Sequence, residues 1–98
     1  MKSLQQFIEE SHQTQTEILQ NEVSQILKPF GNPKDGWKKD FDKDEVDDLM
    51  SREGWSFVGE EKDNKEHIIR YKWSKQDFEC HIFTDILSKK IFKFNIFS

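Results

Sequence analysis

The segment His67–Thr84, HIIRYKWSKQDFECHIFT, decides the fold of this chain. In its first half, apolar and aromatic side chains fall at every second residue as far as Trp73. In its second half, they do so again from Phe78 onward. A period of two is typical of a β-strand with one buried face. The polar residues 74–77 between the two halves predict a tight turn, so the segment is a β-hairpin.

This turn also predicts a register for the hairpin. With residues 74–77 as the turn, Tyr71 lies opposite Cys80. His67 then shares the face of Tyr71, while His81 points to the other side of the sheet. Two histidines on opposite faces cannot act on one phosphate, so the sequence argues against a paired-histidine ribonuclease site.

Two further strands flank the hairpin. Trp55 and Phe57 alternate with polar residues before a polar turn at 62–65. The last strand, 91–97, is predicted to place Phe92, Phe94 and Ile96 on one side and Ile91 and Phe97 on the other. Four strands joined by short turns indicate an antiparallel meander.

The first half of the chain has a helical period instead. Ser3 and Gln6 form a capping box that predicts a helix from about Leu4, and Gly31 followed by Pro33 predicts its end. The apolar positions that suit one face of this helix are Leu4, Phe7, Ile8, Ile18, Leu19, Val23, Ile26, Leu27 and Phe30. A second capping box, Asp42 with Glu45, opens a short helix that Gly54 closes.

These elements predict an α+β fold, in which a long N-terminal helix and a short second helix pack on one face of a four-stranded antiparallel β-meander. Ninety-eight residues are enough for one core, and nine Phe, three Trp and one Tyr supply its apolar surface. We therefore expect a single domain, 1–98. Its predicted parts are helix one at 1–31, a loop at 32–41, helix two at 42–54 and the β-sheet at 55–98.

Targeting signals and disulfides are not indicated. No apolar run approaches the ~18 residues of a membrane span, and the opening MKSLQQFIEES has no apolar stretch like that of a secretory signal. The single cysteine, Cys80, excludes an internal disulfide and fits a reducing compartment. We expect a complete, cytoplasmic chain that binds no membrane.

No motif in the sequence predicts catalysis, a cofactor or a metal. Asp40-x-Asp42-x-Asp44 resembles the start of a calcium loop, but Glu45 and Ser51 stand where Gly and a bidentate Glu are required. These acids are better explained as a helix N-terminus, where Asp42 caps the helix and its neighbours complement the dipole. The chain also lacks the CxxC, HExxH, GxGxxG, P-loop and GxSxG patterns. We expect no enzyme and no metal site.

The charge distribution indicates a binding surface instead. The net charge is −4, and residues 40–48 hold six acids against one lysine. This acidic patch (Asp40, Asp42, Asp44, Glu45, Asp47 and Asp48) repels phosphate and attracts cationic surfaces. Aromatic side chains beside charge are typical of interface hot spots. The predicted partner-binding residues are Trp37, Asp40, Phe41, Asp42, Asp44, Asp47 and Asp48. A purely structural role, as a capped helix with Trp37 and Phe41 under the loop, explains the same residues.

We therefore predict a non-catalytic protein-binding inhibitor that covers a basic surface of a nuclease-like partner and does not contact nucleic acid directly. Toxin-immunity and anti-CRISPR proteins are small bacterial or phage inhibitors of this kind. The Lys-, Asn-, Ile- and Phe-rich composition suits an AT-rich microbial genome. The partner would then be a basic toxin or a CRISPR nuclease.

Two alternatives belong to other functional classes. The stretch Val46–Ile69, a helix followed by Gly54-Trp55, a strand and a polar turn, resembles the opening of the HicA-type ribonuclease toxins. Those toxins carry a Gly-Ser-His-His-like turn, whereas residues 64–67 here read Asn-Lys-Glu-His. The resemblance implies a small ribonuclease or RNA-binding module that uses His67, Arg70 and Lys72. The other alternative is a homodimeric regulatory subunit that pairs through the 91–97 strand.

Overall fold

The computed structural model describes the backbone from Leu4 to Ser98 and the side chains from Gln15 onward. The elements are helix α1 (Leu4–Ile26), a 3-10 turn (Lys28–Phe30), strands β1 (Gly31–Asn32) and β2 (Gly36–Trp37), helix α2 (Lys43–Arg52), and strands β3 (Ser56–Asp63), β4 (Ile68–Lys75), β5 (Phe78–Asp85) and β6 (Ile91–Phe97). Two α-helices and a four-stranded antiparallel sheet confirm the predicted α+β class. The predicted capping box at Ser3 and the apolar positions Leu4, Phe7 and Ile8 lie outside the described side chains.

The large sheet has the strand order β3-β4-β5-β6, and each strand is antiparallel to its neighbour. The predicted register of its central hairpin is wrong by two residues, because Tyr71 pairs with Ile82 and not with Cys80. The turn consists only of Gln76 and Asp77, and Gln76 has a φ of 55°, which suits a tight two-residue turn. A shift of two residues leaves every side chain on its predicted face of the sheet.

The last strand begins and ends where the sequence predicts, at 91 and 97, but its facing is partly wrong. The register shifts between Phe83 and Thr84, which leaves one extra residue in β6 near its start. A bulge of this kind reverses the facing of the residues before it. Ile91 is therefore buried in the core, whereas Phe92 does not share the face of Ile96 as predicted and is 40% exposed.

One face of the sheet, which we call the inner face, packs on the helices. The buried apolar residues form one cluster drawn from α1, α2 and the sheet: Leu19, Val23, Leu27, Phe30, Val46, Met50, Trp55, Trp73, Phe78, Cys80, Ile82, Ile91 and Ile96. The predicted core positions of β5 are confirmed, because Phe78, Cys80, Ile82 and Thr84 are all buried. Burial of each large apolar side chain contributes about 1.5–3 kcal/mol, so this cluster is the main source of stability.

The connection between the helices contains a small hairpin where the sequence predicts a loop. Helix α1 ends at Ile26, and Pro29 lies in the 3-10 turn that follows. Gly31, with a φ of 129°, then pairs with Trp37 in a two-stranded ladder. A Cβ at Gly31 would lie 2.7 Å from the Cα of Trp37, so only glycine fits there. This hairpin places Phe30 in the core and directs the chain toward α2.

Two indole groups connect the helices to the sheet. Trp55, just before β3, donates its Nε1–H to Glu22 of α1 at 3.2 Å, and Lys75 of β4 also donates to Glu22 at 3.0 Å. Trp73 of β4 donates its Nε1–H to Asp47 of α2 at 3.0 Å. Both rings are buried, so each N–H needs an acceptor within the protein.

We expect Asp47→Ala to lower the free energy of unfolding by about 1–2 kcal/mol, because it leaves a buried indole N–H without its acceptor. Urea denaturation followed by Trp fluorescence measures this change. The matched control is Asp48→Ala, which removes an exposed carboxylate paired with Arg52 on the same helix and should change stability by less than about 0.5 kcal/mol. Equal losses in the two variants would contradict a specific role for the indole contact.

Candidate protein-binding surface

The acidic patch lies at the start of α2, and Asp42 is the N-cap of this helix. Its side chain accepts the backbone N–H groups of Asp44 and Glu45 at 3.0 and 3.2 Å. These bonds satisfy two of the donors that every helix N-terminus leaves open. Asp42 therefore has a structural role that accounts for its position.

Most other acids of the patch also contact residues of the chain itself. Three form ion pairs, which are Asp40 with Lys90 at 3.1 Å, Glu45 with Lys39 at 3.1 Å and Asp48 with Arg52 at 2.8 Å. Asp47 accepts the Trp73 indole. The exception is Asp44, an exposed residue whose carboxylate makes no ion pair within the described part of the chain. The patch therefore carries less free negative charge than its composition suggests.

The two predicted aromatic anchors pack on the protein itself. Trp37 meets the ring of Phe94 edge-on, with centroids 6.4 Å apart, and its indole N–H is buried without an acceptor among the described residues. Phe41 packs on Tyr71, with centroids 4.6 Å apart. Both rings are half-buried against the core cluster, so neither stands free beside the acids.

The basic residues predicted for an RNA-binding site share one carboxylate. Arg70 and Lys72 of β4 both pair with Glu61 of β3, and the Lys72 contact is 2.7 Å long. Hydrogen bonding from Lys72, followed by that from Arg70, lowers the pKa of Glu61 below its ordinary value. Glu61 therefore stays ionised and offsets one of the two positive charges.

The third predicted residue, His67, lies in the turn before β4 with a φ of 57°. His81 is on β5, opposite Lys72. Along the strand, His67 lies five residues from Lys72, a distance of roughly 16 Å. His67 is therefore about as far from His81, which pairs with Lys72. The structure therefore does not bring these two histidines together.

Desolvation disfavours the charged forms of both His81 and Cys80. The ring of His81 packs on Phe97 with centroids 4.7 Å apart, and desolvation lowers the pKa of His81, although Glu79 at 3.7 Å acts in the opposite direction. Cys80 is fully buried in the core, and this burial raises the pKa of its thiol to about 12. A thiol that remains protonated at neutral pH is a poor nucleophile.

The face of the sheet opposite the core carries a group of aromatic side chains that the sequence analysis missed. This outer face consists of Arg70, Lys72, His81, Phe83, Phe92, Lys93 and Phe97. Its rings are in contact, with Phe83 6.1 Å from Phe92 and His81 4.7 Å from Phe97 between centroids. Phe92 and Phe97 remain 40% and 44% exposed. The outer face is the largest exposed aromatic group in the described part of the chain.

A local signal for part of this surface is present in the sequence. In β5, His81 and Phe83 alternate with the buried positions, so an aromatic pair lies on the side opposite the core. Such a pattern indicates a strand that is apolar on both faces. Phe92 could not be assigned in this way, because its facing depends on the bulge in β6.

The outer face contains an open pocket at one end. Its volume is about 460 Å³, and its lining includes Glu61, Ile68, Arg70, Phe83, Phe92 and Lys93. All of its lining residues belong to the sheet or to the turn between β3 and β4. The lining is both apolar and charged, and we call its apolar part, Ile68, Phe83 and Phe92, the floor of the pocket.

The described residues offer neither of two other kinds of site. None of the helices there combines the length and the apolar character needed to span a bilayer. Within the same residues, no three His, Cys, Asp or Glu side chains come together in a way that could hold a metal ion.

No protein-family model matches this sequence, and neither the curated proteins nor the solved structures include a significant match.

We expect the Cys80 thiol to resist a thiol reagent at pH 8 in the folded protein and to react once the protein is unfolded in urea. The pKa of the thiol is about 12 in the folded protein and 9.0 ordinarily, so the unfolded chain loses this proton first as the pH rises.

The same difference predicts a dependence of stability on alkaline pH. The contribution of the Cys80 thiol to the free energy of unfolding is fully present below pH 9.0 and decreases as the pH rises toward 12. Denaturation of wild type and Cys80→Ala between these pH values measures it. The same alkaline slope in both proteins would contradict this prediction.

Proposed function

We propose that this protein acts by binding another protein, without catalysing a reaction, as an inhibitor of the toxin-immunity or anti-CRISPR type. The outer face of the sheet is its contact surface. The observation that supports this most directly is the exposure of Phe92 and Phe97 beside Phe83 and His81. Contiguous exposed aromatic side chains are uncommon on proteins that bind nothing, and they typically mark an interaction site.

The charges on this face favour a protein over a nucleic acid. Arg70 and Lys72 already share Glu61, and the exposed carboxylate of Glu79 lies beside His81. This surface carries charges of both signs, and the whole chain has a net charge of −4. Neither property attracts a phosphate backbone. Aromatic and arginine side chains with few free charges are typical of the centre of a protein–protein interface.

A second candidate uses the acidic patch as the contact surface for a basic, nuclease-like partner. The observation that favours it is Asp44, an exposed carboxylate with no ion pair among the described residues. The six acids of the patch meet only three cationic partners, Lys39, Arg52 and Lys90, so the patch retains negative charge. Such a surface steers a basic partner even where it does not anchor it.

One capture experiment separates the two candidates. The protein is used as bait in extracts of its host, and the main captured protein is quantified by mass spectrometry. We expect Phe92→Ser to reduce capture at least about fivefold, because truncation of a central aromatic residue commonly costs more than about 1 kcal/mol of binding energy. The matched control is Leu87→Ser, which removes another exposed apolar side chain, 74% exposed, in the turn between β5 and β6. This control should capture as wild type does.

The outcome for Asp44→Lys decides the second candidate. If capture falls in Asp44→Lys and with added salt but is unchanged in Phe92→Ser, the contact surface is the acidic patch. The outer face is then refuted as the contact surface. Capture that responds to neither substitution refutes both surfaces.

We expect single-stranded RNA incubated with the purified protein to remain intact and to migrate without retardation in a native gel. The physical reasons are the separation of His67 from His81, the buried Cys80 thiol, and the carboxylate of Glu61, which offsets one of the two positive charges of Arg70 and Lys72. Cleavage that disappears in His67→Ala, or retardation that disappears in Lys72→Gln, would instead support the ribonuclease or RNA-binding alternative.

A further inference from the structure

The pocket on the outer face has an apolar floor large enough for one side chain of a partner. Ile68, Phe83 and Phe92 line it, and Phe92 is 40% exposed at its edge. The volume of about 460 Å³ lies in the range of small ligand sites, which bury an apolar group and orient it by a few polar contacts. The floor therefore favours an apolar group.

Two of the three cations that line the pocket, Lys62 and Lys93, form no ion pair among the described residues, and Lys93 is the one that lies beside the floor. Lys62, Arg70 and Lys93 line the pocket with two acids, Glu61 and Asp63. The ammonium group of Lys93 lies over the rings of Phe83 and Phe92, 4.6 and 5.9 Å from their centroids. It forms no ion pair within the part of the chain whose side chains are described. Arg70, in contrast, is held by Glu61.

We propose that this pocket receives an apolar side chain flanked by a carboxylate, presented by a segment of a partner protein. The apolar group packs on Phe83 and Phe92, and the Asp or Glu beside it pairs with Lys93. Charge complementarity supports this occupant, because the ammonium group of Lys93 lies unpaired beside apolar surface. The two carboxylates of the lining are already engaged, Glu61 by Arg70 and Lys72 and Asp63 by two backbone N–H groups. This inference rests on the proposed function and names the chemistry that the outer face recognises.

Lys93 is well suited to this role because it is already positioned. Its stem lies on the outer face, and the attraction of its ammonium group to two rings limits the directions in which it can point. When Lys93 pairs with a carboxylate, its side chain therefore loses less conformational entropy than an unrestrained surface lysine would lose.

The test uses two peptides of equal length with one phenylalanine each, acetyl-EEFEE-amide and acetyl-KKFKK-amide. Each is titrated into ¹⁵N-labelled full-length protein and followed by the amide shifts of Phe83, Phe92 and Lys93. We expect the acidic peptide to shift these resonances and the basic peptide to leave them in place. Lys93→Gln should weaken the acidic peptide about fivefold, as expected for the loss of one partly exposed ion pair.

The matched control is Lys38→Gln, which makes the same change of net charge at an exposed lysine after β2 and should bind the acidic peptide as wild type does. Equal weakening in both variants would show that only net charge matters and would overturn the role of Lys93. Binding of the basic peptide, or of neither peptide, at these resonances would overturn the inference.

These outcomes are distinct from failure of the proposed function. If partner capture depends on Phe92 while the acidic peptide does not bind, the outer face remains the contact surface and only its proposed occupant is wrong. If capture is unchanged in Phe92→Ser, the proposed function itself fails. An octauridylate that shifts the same amides more strongly than the acidic peptide would overturn a protein occupant in favour of single-stranded RNA.

Discussion

The positions of both helices depend on two buried indole N–H groups that need acceptors. Trp55 and Trp73 are the largest fully buried side chains, and each donates to a carboxylate on a different helix, Glu22 of α1 and Asp47 of α2. A buried N–H without an acceptor costs about 1–3 kcal/mol, so these two bonds restrict how each helix can lie over the inner face. Because the helices pack on that face, the opposite face of the sheet is left for other contacts.

Several acids of the acidic patch also stabilise the fold itself. A dense run of acids in a sequence predicts a charged surface, but Asp42 is used as a helix cap and Asp47 as an indole acceptor. Asp40 pairs with Lys90, fifty residues away along the chain. Local charge density cannot distinguish acids that serve the fold from acids that serve a partner. Only Asp44 remains a clear candidate for intermolecular contact.

The outer face owes its character to one extra residue in the last strand. The sequence predicts that Phe92 and Ile96 share one face, and without the bulge in β6 strict alternation would place both on the inner face. The bulge turns Phe92 outward, where it meets Phe83, and Lys93 lies over both rings. Ile91 takes the inner position and is buried. One irregularity thus completes the core and creates the aromatic pocket.

The sequence alone determined the α+β class, the bounds of the last strand and the buried positions of β5, because hydrophobic period and turn residues are local properties. It could not determine the candidate site. The facing of Phe92, the pairing of Asp40 with Lys90 and the register of Tyr71 depend on a bulge, a distant contact and the length of a turn. These were decided by the tertiary structure, since each requires two segments to meet, and neither segment alone carries the information about its neighbour.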